Sequence, residues 1–208
     1  MTKDPTNGGV AVNVNGGTLS VRSGNIASTR YGIQVVGGGT ANLSGGTISG
    51  AQKAVMVSGG NLHLSGSVHL TSEDVAAQVQ GGSVTMAEDA LLEALYGILL
   101  FNKDGANEEG VQHASLEMTG GTVRAQEGFA ISGNNLQSAG CSAVVIGGSL
   151  ETVPEGTAIY WPMEGVLTIG GTASVTGGTA IEAKMGTITI EGEAQITGTG
   201  AWSEELPE

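Results

Sequence analysis

Groups able to do acid–base, metal or nucleophilic chemistry are few in this chain and unevenly placed. Carboxylates gather at Glu73-Asp74, Glu88-Asp89 and Glu93, and again at Asp104, Glu108 and Glu109. Cleavage of a glycosidic bond takes two carboxyl groups at a fixed separation across a cleft, and nothing in this spacing secures that. Ca2+ takes six or more oxygens; an acidic corner built from Glu73, Asp74 and Glu93 is the candidate metal site. The histidines, His63, His69 and His113, share no ligand spacing and read as surface residues. Ser and Thr are plentiful, but no Gly-x-Ser-x-Gly elbow occurs, so nucleophilic catalysis lacks support. Cys141 is the only cysteine; it cannot form an internal disulfide and reads as a small core residue.

Binding has better material than catalysis. Aromatic residues make up 3% of the chain, which makes Tyr160-Trp161-Pro162 conspicuous. A Tyr/Trp pair can stack on the apolar face of a sugar while polar groups hold its hydroxyls; the structural use of the same Trp161 is a lid over the neighbouring repeat. Candidate ligand-binding residues are therefore Tyr160 and Trp161, with His113, Asn134 and Asn135, which fall where the repeat described below is interrupted.

Composition excludes several classes. Seven basic against 20 acidic residues give a net charge of −13, and the Lys and Arg residues are scattered, which argues against nucleic acid. Hydrophobic content of 39% is enough to bury a core, so this is not a disordered acidic chain. The 37 glycines lack the strict every-third spacing of collagen. No apolar run is long enough to insert into a membrane.

Those glycines mark a repeat. Gly-Gly pairs end at Gly17, Gly39, Gly60, Gly82, Gly121, Gly148 and Gly171, with a degenerate Glu-Gly at Gly192. Their spacings are 22, 21, 22, 39, 27, 23 and 21, that is, one period of 21 to 22 with two excursions. Apolar residues stand two and four places after the pairs, as in Leu19/Val21, Ala41/Leu43, Leu62/Leu64, Val84/Met86 and Val123/Ala125, and only Leu150/Thr152 breaks the second column. A second alternating run precedes each pair, including Ile33/Val35, Val55/Val57, Ile98/Leu100, Leu116/Met118 and Val144/Ile146. A third short segment lies between, at Ile26, Ile48 and Val68. Alternation with period two means strands, and glycine suits the corners between them. In this reading Arg124 and Glu151 are outward neighbours forming a solvated ion pair. Glu88 to Phe101 has the composition of a helix, yet Tyr96-Gly97-Ile98 repeats the register of Tyr31-Gly32-Ile33, so it is read as a coil.

Units that bury their faces only against the next unit form a solenoid. The expected fold is all-β: a right-handed parallel β-helix with three short strands per coil of 21 to 22 residues and eight to nine coils. Handedness follows the preference of parallel crossovers, and rungs about 4.8 Å apart give a rod of roughly 40 Å. The chain reads as one domain, residues 1–208, with coils over about 8–200 and excursions near 102–115 and 133–142. If both excursions leave at one corner, they form one wall of a groove.

Segments such as Gly38-Gly39-Thr40-Ala41-Asn42-Leu43-Ser44-Gly45-Gly46-Thr47-Ile48-Ser49-Gly50 and Gly186-Thr187-Ile188-Thr189-Ile190 resemble the Gly-Gly-Thr repeats of pectin-lyase-like β-helices in secreted or wall-attached bacterial proteins. That resemblance implies an extracellular or cell-surface location and neighbouring domains in a longer chain. It implies no single function, since the same solenoid carries lyases, hydrolases, tailspikes and adhesins. The expectation is a non-catalytic module with an adhesive, carbohydrate-binding or stalk role, its partner a glycan or other host or cell-surface ligand. The alternative is a polysaccharide lyase or glycoside hydrolase of that fold, with its site assembled from the acidic corner and the first excursion and with Ca2+ as its ion.

Overall fold

The computed structural model describes residues 9–103 and 111–200. Twenty strands, every pairing parallel, wind into a β-solenoid of about 8 turns. Each coil contributes to three sheet faces. Face A is built from Val10–Asn15, Tyr31–Val36, the first halves of Lys53–Leu64 and Val75–Met86, then Tyr96–Phe101, Ile131–Gly133, Thr157–Trp161 and Thr179–Ala183. Face B follows with Thr18–Val21, Thr40–Leu43, the second halves of those two long strands, the first halves of Ala114–Ala125 and Cys141–Thr152, and then Gly165–Ile169 and Thr187–Ile190. Face C takes Asn25–Ser28, Thr47–Gly50, His69–Ser72, Leu91–Ala94, the remaining halves of Ala114–Ala125 and Cys141–Thr152, Ser174–Gly177 and Gln195–Gly198.

Alternation does what the pattern demands, except in Cys141–Thr152, where Ala143 and Val145 are buried and Val144 and Ile146 are exposed. Ile33, Val55, Ala77, Ile98, Ile131 and Ile159 stack as one buried column of face A, while Leu43, Leu64 and Met86 do so on face B. Each buried Val, Leu or Ile contributes about 1.5–3 kcal/mol relative to exposure. At the turn from face C to face A two consecutive residues point inward, and the first is always small: Gly32, Ala54, Ala76, Gly97, Ala130, Ala158 and Ala180 are all buried. A Cβ on Gly32 would stand 2.7 Å from the carbonyl oxygens of Ala54 and Ser49, so the corner has no room for a branched side chain.

The stretch Glu88 to Phe101 contains the strands Leu91–Ala94 and Tyr96–Phe101 and no helix. Tyr96 lies in register with Val75, which continues the column through Lys53 to Tyr31. Packing of these apolar residues between adjacent coils outweighs helix propensity.

One expectation is corrected. The Gly pairs do not mark a single corner. Gly17, Gly39, Gly60 and Gly82 precede face B strands, whereas Gly121, Gly148 and Gly171 precede face C strands. Leu116 and Met118 thus pair with Val84 and Met86 on face B, not with Ile98 and Leu100, which pair with Ile131 and Gly133. The first excursion ends directly at a face B strand, so the next Gly pair comes one corner later.

Candidate binding groove on face B

Both interruptions of the repeat leave at the corner between faces A and B, on consecutive coils. The first follows Phe101; the second is a 3-10 turn, Asn135–Ser138, between Gly133 and Cys141. Asn102 ties them together. It is 5% exposed; its backbone N–H donates to Gln137 O at 2.7 Å and its Nδ2 donates to Ala139 O at 2.8 Å. Its Oδ1 lies 3.0 Å from His113 Nδ1 and accepts from Cys141 Sγ at 3.4 Å. Buried Ser138 closes the turn, donating from Oγ to Leu100 O at 2.6 Å and accepting from Asn134 N at 2.7 Å. Buried polar groups are worth most when every member is satisfied, and here the amide of Asn102 uses both ends.

His113 lies across Gly140. A Cβ at that glycine would stand 2.6 Å from His113 Cε1, and the residue has φ +84. Both the left-handed backbone and the overlying ring require glycine there.

Gln112 and His113, where the first excursion rejoins the coil, wall a groove of about 470 Å3, within the range of small-ligand sites. Its floor is Asn61, Ser83 and Ser115, in register on three successive coils, and its wall is Gln112 and His113. Ser83 Oγ donates to Asn61 Oδ1 at 2.8 Å, and on the next outward column His63 Nδ1 lies 2.7 Å from Thr85 Oγ1. Hydrogen-bonding groups thus recur at the rung spacing of about 4.8 Å.

A second polar cluster crosses face C. Arg124 lies between two carboxylates on adjacent coils: NH1 donates to Glu93 Oε1 at 2.6 Å and Nε to Glu151 Oε2 at 3.0 Å. Hydrogen bonds from Arg124 to Glu93 and Glu151, with the charge of Glu151, raise its pKa above the ordinary arginine value. His69 Nε2 is 3.0 Å from Glu93 Oε2. The pair expected of Arg124 and Glu151 is present; Glu93 joins it because Glu93 and Arg124 are in direct register.

The structure separates the predicted site residues. His113, Asn134 and Asn135 share the A/B corner, but of these only His113 lines the groove. Asn134 Nδ2 donates to Gln137 Oε1 at 3.0 Å on the exposed side. Trp161 is corrected as an open stacking platform: it is 0% exposed and belongs to the core. Its indole lies against Gly165 and Gly186, where an added Cβ would stand 3.5 Å from Cζ2 and 3.0 Å from Nε1 respectively. Tyr160 faces outward on face A, away from the groove, and stacks on Phe129 with ring centroids 4.9 Å apart; Phe129 meets Tyr96 at 6.2 Å. Rings stacked along the rod spend their faces on one another.

The acidic corner is not assembled either. Glu73 is exposed, Asp74 lies 4.0 Å from Lys53 Nζ, and Glu93 is turned to Arg124 and His69. Among the described residues no group of three or more His, Cys, Asp or Glu side chains could hold a metal ion. Asp104, Glu108 and Glu109 lie outside the described residues, as does Trp202.

Asn61, Ser83, Gln112, Ser115 and Asn102 were not singled out from the sequence. Asn61 and Ser83 stand in the outward column after the Gly pairs, where their spacing was readable; Ser115 joins that column only once the shift of corner is known.

Fold and groove together define the class: a parallel β-solenoid with a polar groove beside a double excursion. No protein-family model, no curated protein and no solved structure matches this chain. Among the described residues no helix is long and apolar enough to cross a membrane.

Proposed function

We propose that this chain is a non-catalytic β-solenoid module of a secreted or surface-attached bacterial protein, related to the pectin-lyase-like Gly-Gly-Thr repeats, that binds a glycan in the face B groove. One observation carries the reading: Asn61, Ser83 and Ser115 place neutral hydrogen-bonding groups on three successive coils beside the wall of Gln112 and His113. An oligosaccharide presents hydroxyls at comparable intervals along its length, and neutral amide, hydroxyl and imidazole groups suit them. Arg124 already engages Glu93 and Glu151, so these two face C carboxylates are not an open pair for bond cleavage.

A glycan array probed with the wild-type chain and with the Asn61→Ala/Ser83→Ala double variant tests the reading. Binding by the wild type that falls at least about tenfold in the variant supports it, the size expected for two lost hydrogen bonds. Equal binding by both, or release of cleavage products from any bound polysaccharide, overturns it. Absence of binding across the array favours a purely structural spacer.

A further inference from the structure

The network around Asn102 fixes which nitrogen of neutral His113 carries the hydrogen. An Asn side chain offers one acceptor and one donor end, and here the orientation is forced. The end facing Ala139 O at 2.8 Å must be the NH2 group, because a carbonyl oxygen only accepts. The other end, the oxygen, faces His113 Nδ1 at 3.0 Å and Cys141 Sγ at 3.4 Å. It can accept from both, and it can donate to neither. His113 Nδ1 therefore carries a hydrogen, and in the neutral ring Nε2 is bare. Among the described residues no partner meets Nε2, and the ring lines the groove. Gly140 beneath the ring leaves the room that the ring occupies.

We propose that His113 Nε2 is the obligate hydrogen-bond acceptor of the groove, its tautomer set by Asn102 acting as a positioning residue. This rests on reading the groove as a binding site, and it adds a selection rule. Gln112 and Ser115 can each rotate to donate or accept. Neutral His113 cannot, so a ligand bound to that form must present a hydroxyl or N–H donor to that nitrogen, and a ligand with an ether or methylated oxygen there is rejected.

A long-range proton–nitrogen correlation spectrum of the 15N-labelled full chain, taken where imidazole is neutral, reads the tautomer directly. His113→Phe identifies the signals by their disappearance. The expected result is an Nδ1–H ring for His113, replaced in Asn102→Ala by the Nε2–H form or by an average of the two. An Nε2–H ring in the wild type overturns the proposal, and that spectrum decides it even if Asn102→Ala does not fold. On the glycan array, His113→Phe should weaken wild-type binding about tenfold; unchanged binding overturns the acceptor role. An array without wild-type binding, with the Nδ1–H ring in place, overturns the glycan reading of the groove and leaves the tautomer assignment standing.

Discussion

The side-chain oxygen of Asn102 lies 3.0 Å from Nδ1 of His113, eleven positions further along the chain, and so closes the base of the first excursion. Because the same amide holds Ala139 and meets Cys141, one residue at the end of a strand fastens both excursions to the coil. Asn102→Ala leaves the carbonyl of Ala139 and the ring of His113 without their partner. The expected cost is about 2 kcal/mol. Hydrogen exchange should rise at Gln137, Ala139 and Gln112 while the amides of face C stay protected, which separates a local latch from general destabilisation.

Cys141 gives a pH signature. The thiol is wholly buried, and desolvation pushes its pKa from 9.0 up to about 11, a hydrogen bond with the Ala114 backbone opposing the shift. The native state therefore holds its proton more tightly than the unfolded chain. Its contribution is fully present below the unfolded pKa of about 9 and is lost as pH rises through 11. Stability should fall by roughly 2 kcal/mol over that interval, and Cys141→Ala should flatten that part of the curve relative to wild type. Urea denaturation at a series of pH values measures it; parallel curves for the two proteins would contradict it.

Glu88 occupies a position built for glycine. The corner Ala87-Glu88-Asp89-Ala90 stands in register with Ser65-Gly66-Ser67-Val68, and Glu88 has φ 58 where Gly66 has φ 53. A non-glycine residue in that region costs about 1–2 kcal/mol. Its carboxylate accepts from the exposed Gly66 N–H at 2.6 Å, which recovers part of the cost and which water can replace. Glu88→Gly should therefore raise stability by up to about 1 kcal/mol, seen as a higher thermal midpoint.

Trp161 should behave as a core residue. Trp161→Ala is expected to cost about 3–5 kcal/mol and to lower stability well before any specific effect on binding can be read. Trp161→Phe should cost much less, because it keeps a ring and removes Nε1, which is buried without a partner. Tyr160→Ala should cost less than Trp161→Ala, since only the stacking on Phe129 and partial burial are lost. Denaturation midpoints of the three variants check the order.

Much of the fold was legible because a solenoid writes each coil as a repeat of the last. Tyr31 and Tyr96 carry the same local motif and stand in the same column, and that agreement was enough to overrule the helical composition around Tyr96. The shift of the Gly pairs was not legible. Glycine marks any tight corner, and Leu116/Met118 alternate in the same way on either face, so the repeat by itself does not say which corner follows an excursion. The meeting of the two excursions was foreseeable from their spacing, whereas the role of Asn102 was not. Its partners lie 11, 37 and 39 positions away, and one polar residue after an apolar strand carries no signal of them. Trp161 misled for a related reason: scarcity made it conspicuous, but Gly186, where an added Cβ would stand 3.0 Å from its Nε1, is 25 residues further along the chain.

The central claim is that the face B groove is where this module meets its ligand. Chemical-shift mapping with an array-positive oligosaccharide on the 15N-labelled chain tests it most directly. Perturbations confined to Asn61, Ser83, Gln112, His113 and Ser115, with the oligosaccharide recovered intact, are the predicted result. Perturbations centred instead on Tyr160, or on Glu93, Arg124 and Glu151 of face C, would contradict it.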